Sequence, residues 1–68
     1  MTFRIEVEQE EDGRWIAEVL ELAGAMTYGP TRDEAIGLAK ALALRVMAER
    51  LEHGETSSDL ADISFRAA

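Results

Sequence analysis

Phe3, Ile5 and Val7 alternate with Arg4, Glu6 and Glu8. That two-residue period marks a strand with one face buried. Glu10-Glu11-Asp12-Gly13-Arg14 reads as a turn, and Trp15 to Leu20 as a second strand. Turn type and apolar pattern test each other here. A three-residue loop Glu11-Asp12-Gly13 puts Gly13 in the left-handed position of a type I turn with a bulge. It pairs Gln9 with Trp15, Val7 with Ala17 and Ile5 with Val19, so Phe3, Ile5, Val7, Trp15, Ala17 and Val19 share the buried face. A loop one residue shorter or longer would turn Glu18 inward, which is costly. On the opposite face Glu6 then meets Glu18, Glu8 meets Ile16, and Arg4 meets Leu20.

Glu21-Leu22-Ala23-Gly24 reverses the chain, Ala25 to Tyr28 forms a short third strand, and Gly29-Pro30 ends it. A helix is expected from Thr31 to Glu52. Thr31 can cap the first-turn amides, Glu34 can reach back to the Thr31 amide, and Asp33 and Glu34 suit the positive end of the helix dipole. His53-Gly54 offers a left-handed stop. At about 100° per residue, Ala35, Ile36, Leu38, Ala39, Leu42, Ala43, Val46 and Met47 occupy one half of the cylinder. Leu44 and Leu51 form an extra strip beside it. So broad a stripe suggests self-association, with Leu44, Met47 and Leu51 as the candidate residues. Glu55 to Asp59 reads as a polar connector, and Ile63 to Arg66 as a last strand with Ile63 and Phe65 inward.

The expected fold is a two-layer α+β domain of order β-β-β-α-β occupying residues 1–68. The strand order is 3-2-1-4, with the last strand parallel to the first through a right-handed crossover. One long helix covers one face. A 68-residue chain without cysteine has no disulfide to reinforce a small core. A homodimer or larger homo-oligomer is the expected remedy. The absence of an apolar run of about 18 residues and of a basic, apolar leader points to a cytoplasmic protein with no membrane association.

Fourteen acidic against seven basic residues give a net charge of −7. Such a field repels nucleic-acid backbones and attracts basic proteins. No helix pair or basic arm for reading DNA is present, so direct nucleic-acid binding is not expected. His53 is the sole histidine, so no metal site of histidine and cysteine is expected. No phosphate-loop pattern occurs, and no cofactor is expected. Glu6, Glu8 and Glu18 could suggest acid–base or metal chemistry. A flat sheet face offers no pocket to shift their protonation or hold a metal, so catalysis is not expected. The same face, with Glu6, Glu8, Ile16, Glu18 and Leu20, is the candidate docking surface for a basic partner.

Three runs together resemble a known family: Asp12 to Val19, Glu21 to Ala25, and Thr27 to Ala35. Their order and spacing are similar to the HicB antitoxins of HicA–HicB toxin–antitoxin pairs. Gly13, Trp15, Ala17, Leu22, Gly24, Gly29, Thr31, Glu34 and Ala35 fall on the family pattern, within about residues 3–52. Leu20 and Ala23 stand where the family has prolines, and Ala25 where it often has cysteine. The family's DNA-binding domain has no counterpart in these residues. The resemblance implies a truncated ribonuclease-H-like sheet without nuclease residues. It also implies a protein that neutralises a small basic HicA-like mRNA interferase, as a dimer or larger assembly. The alternatives are a protein-binding module of this fold with a partner other than a toxin and, further off, a metal-dependent enzyme using the surface carboxylates.

Overall fold

A computed structural model describes residues 1–55 and 62–67. The element order is β1 (Thr2–Gln9), β2 (Trp15–Val19), β3 (Met26–Gly29), α1 (Arg32–Glu52) and β4 (Ser64–Ala67). The four strands form one sheet in the order β3-β2-β1-β4, antiparallel except for the β1–β4 pair. Fold class and strand order agree with the sequence expectation. The connector expected at 56–59 lies outside the described residues. No helix among the described residues is long and apolar enough to cross a membrane.

The β1–β2 loop sets the register. Gly13 has φ 92°, its amide donates to the Glu10 carbonyl at 3.0 Å, and the Glu10 amide donates to the Arg14 carbonyl at 2.7 Å. Val7 then lies beside Ala17 and Ile5 beside Val19. Phe3, Ile5, Ala17 and Val19 are buried on the helix side, with Val7 and Trp15 half-buried at its margin. Each fully buried side chain of this size contributes about 1.5–3 kcal/mol by leaving water.

The helix ends follow their caps. The Thr31 hydroxyl accepts from the Glu34 amide at 3.1 Å. At the other end Gly54 has φ 68°, its amide donates to the Leu51 carbonyl at 3.2 Å, and the Glu55 amide donates to Arg50 at 2.8 Å. Both orphan carbonyls are thereby satisfied in a Schellman-type stop. The buried face of α1 is largely small: Ala35, Ala39 and Ala43 are fully covered, with Ile36 and Met47 beside them. Alanines let the helix lie close on the sheet, nearer β3 and β2 than β1. The β1–β4 side of the core is completed by Phe3 stacked on Phe65 at 5.7 Å, with Lys40 Nζ 5.8 Å from the Phe65 ring centre.

Three expectations need correction. Leu38 is 51% exposed, because a single sheet covers less of the cylinder than the apolar stripe spans. Met47, placed in the self-association strip, is 3% exposed and belongs to the core. Ile63 is 37% exposed and precedes β4, which begins at Ser64 opposite Thr2, the first residue of β1. The reversal after β2 also contributes more than a turn. Leu22 and Ala25 are buried in the core, held by bonds from the Leu22 amide to Val19 and from the Ala25 amide to Leu22.

Helix and sheet approach closely at Gly29. A Cβ there would lie 2.7 Å from the Ala35 backbone nitrogen and 3.1 Å from its Cα. The Thr27 hydroxyl fixes the same approach by donating to the Ala35 carbonyl at 2.9 Å. Gly37, in contrast, has open space where its Cβ would be. Gly29→Ala is therefore expected to destabilise the fold by about 1–3 kcal/mol through overpacking. Gly37→Ala is expected to stabilise it by about 0.5–1 kcal/mol through helix propensity. Urea denaturation of the two variants would show midpoints displaced in opposite directions.

Candidate protein-docking face

The face of the sheet opposite α1 carries two acidic and apolar rows of side chains across β1, β2 and β3. Register places Met26, Glu18 and Glu6 in one row and Tyr28, Ile16 and Glu8 in the next. Glu6 and Glu8 are exposed, and Glu18 and Ile16 are half-buried. Ile16 is thus less open to water than its place on an outer face implied, because Tyr28 and Glu8 flank it on the neighbouring strands. A shallow depression of about 490 Å³ lies here, bordered by Glu6, Glu8, Glu10, Ile16, Glu18 and Met26.

Four of the five residues expected to form the docking surface, Glu6, Glu8, Ile16 and Glu18, meet in this depression. Leu20 stands past the end of β2, 38% exposed, where its amide donates to the Arg4 carbonyl at 3.0 Å. Met26 and Tyr28, 44% and 46% exposed, extend the apolar margin along β3. The sequence expectation omitted both. Strand alternation alone could have placed them, once the β2–β3 register was known. Of the self-association candidates, Leu44 and Leu51 are exposed on α1, away from this face.

Charge on the face is separated by local pairing. Glu21 clamps Arg4: its Oε2 lies 2.6 Å from Arg4 Nε, and its Oε1 accepts from the Arg4 amide at 2.7 Å. Asp12 does the same to Arg14, accepting from its amide at 3.0 Å and from its Nε at 2.8 Å. Arg14 also lies 5.0 Å over the Tyr28 ring. Among the described residues, no cation forms an ion pair with Glu6, Glu8 or Glu18. The Glu6–Glu18 opposition therefore keeps its unfavourable charge. No group of three or more His, Cys, Asp or Glu among the described residues is placed to hold a metal.

The clamps also shift protonation. Donation from the Arg4 side chain, and then from its amide, holds the Glu21 carboxyl below its ordinary value. Donation from the Arg14 amide, and then from its side chain, does the same for Asp12.

Comparison with protein-family models, curated proteins and solved structures finds no match. The class of the molecule therefore rests on its own geometry: a small two-layer α+β domain with one sheet face left open by the described residues.

The Glu21 clamp implies a definite pH dependence. A carboxyl lowered in the folded state adds stability that is complete above its ordinary value of 4.5 and lost as pH falls through the folded value. Wild-type protein is expected to lose denaturation midpoint on acidification below that point, and Glu21→Gln to lose less. The pair is exposed to solvent, so high salt should shrink the difference. Urea titrations at stepped pH and two salt concentrations would measure it.

Proposed function

We propose that the chain is an antitoxin-type protein, without catalytic activity of its own, that covers a small basic mRNA-cleaving toxin with its open sheet face. One observation carries the reading. Glu6 and Glu18 oppose each other directly, unpaired among the described residues, on the face that α1 leaves bare. Folding alone gains nothing from that arrangement. A basic surface laid over it would convert the repulsion into charge-assisted contacts, with Ile16, Met26 and Tyr28 as the apolar margin. The toxin's RNA-binding cations would then be occupied by carboxylates in place of phosphates. The resemblance to HicB antitoxins supplies the partner class, and with it the truncated ribonuclease-H-like assignment of the sheet and a cytoplasmic site of action.

The test is co-expression with the protein encoded by the adjacent reading frame, then pull-down and an RNA-cleavage assay. Tight binding with loss of cleavage is expected. The double variant Glu6→Lys/Glu18→Lys should abolish both. Glu18→Gln should weaken binding while raising folding stability by about 0.2–1 kcal/mol, since it relieves the cross-strand repulsion. Binding that survives the double lysine variant would reject the docking face. A neighbour that binds but cleaves no RNA would leave a protein-binding module with another kind of partner.

We also propose that two copies associate through α1, with Leu44 and Leu51 in the contact. Sedimentation at micromolar concentration should show a dimer or larger species, and Leu44→Glu/Leu51→Glu should shift it to monomer. A folded wild-type monomer at that concentration would exclude the contact.

A further inference from the structure

The open face also carries a cationic corner, for which uniform attraction to a basic partner has no use. β1 and β4 run parallel with Arg4 directly beside Arg66, and Phe65 points to the core, so both arginines lie on the open face. Arg4 is neutralised by Glu21 at 2.6 Å. Arg66 is exposed, and among the described residues no carboxylate pairs with it. Thr2 and Ser64, one row further along, join their hydroxyls at 2.9 Å. From strand spacing and residue rise, Arg66 stands roughly 8 Å from Glu6 and roughly 12 Å from Glu18. The face is therefore bipolar, with its acidic centre beside a cation that no carboxylate among the described residues compensates.

We propose that the basic partner docks in a single orientation, seating an acidic side chain on Arg66 while its own cations cover Glu6, Glu8 and Glu18. A uniformly basic surface would meet repulsion at Arg66. A surface carrying both signs at this spacing gains at both ends and is turned away in the reversed orientation. Arg66 is then the residue that sets the register of the complex. The competing account is that Arg66 merely guards the free edge of β4 against strand pairing. Glutamate guards an edge equally well, so the two accounts predict opposite results for Arg66→Glu.

This inference rests on the toxin-binding reading above. Its test is a calorimetric titration of the protein encoded by the adjacent reading frame with the wild-type chain, Arg66→Gln and Arg66→Glu, each checked for an unchanged thermal melt. Arg66→Glu makes the net charge two units more negative than −7, so attraction alone would tighten binding. The expected result is the reverse: a loss of tenfold or more for Arg66→Glu, and a smaller loss for Arg66→Gln. Binding by Arg66→Glu as tight as wild type, or tighter, would overturn the orientation and leave the docking face intact. No binding by the wild-type chain would remove both.

Discussion

The loop between β1 and β2 sets the parity of one strand against the other, and both faces of the sheet inherit it. With Gly13 in the left-handed region and Glu10 closing on Arg14, Ala17 and Val19 turn toward the helix, and Glu18 turns away from it. Shifting β2 by one residue would put Glu18 into the core and Ala17 and Val19 into water. No other single feature ties so much of the core to so much of the outer surface. The acidic face is the other side of the same register.

On that framework the helix is held by closeness more than by bulk. Gly29 admits the first turn of α1 to within contact of the sheet backbone, and the fully covered Ala35, Ala39 and Ala43 continue the close approach. Larger side chains complete the core, with Phe3 against Phe65 and with Met47 and Leu22 among its buried members. Close approach narrows the contact. A helix resting on alanines covers less of its own circumference, so Leu38, Leu44 and Leu51 remain outside the core. The breadth of the apolar stripe in the sequence therefore overstates what one sheet can bury.

That difference shows where the sequence was legible. Register, strand order and both helix ends follow from local signals: a turn glycine whose position agrees with a period-two pattern, a capping threonine, and a glycine stop. Such signals are short-range and reinforce one another. The misplacements of Leu38, Met47 and Ile63 all concern how far a covering surface extends, which depends on the distance between layers and on where a neighbouring strand begins. Ile63 has the right period for an inward residue, and Met1 brackets it by donating to the Asp62 carbonyl and accepting from the Ser64 amide, but it lies beyond the ladder that starts at Thr2 and Ser64 and stays partly exposed. On the candidate face, Glu6, Glu8 and Glu18 were legible because one hairpin determines them. Met26, Tyr28 and Arg66 needed two further registers. The clamps from Glu21 to Arg4 and from Asp12 to Arg14 involve loop carboxylates that no periodic pattern locates.

Those clamps bear on why the face stays charged. Arg4 is close enough to interact with Glu6, yet Arg4 and Arg14 are each engaged by a carboxylate outside the glutamate cluster. Exchanging these local pairs for pairs with Glu6 or Glu18 would lower the repulsion within the sheet. It would also cost the backbone bonds that Glu21 and Asp12 make at the same time, to the Arg4 and Arg14 amides. Each loop carboxylate thus satisfies a backbone donor and a guanidinium together, an arrangement with which a single strand carboxylate competes poorly. Among the described residues the acidic centre has no paired counter-ion, because Arg4 and Arg14 are engaged by other carboxylates. A partner approaching this face therefore meets carboxylates that need not break an existing ion pair before forming a new one.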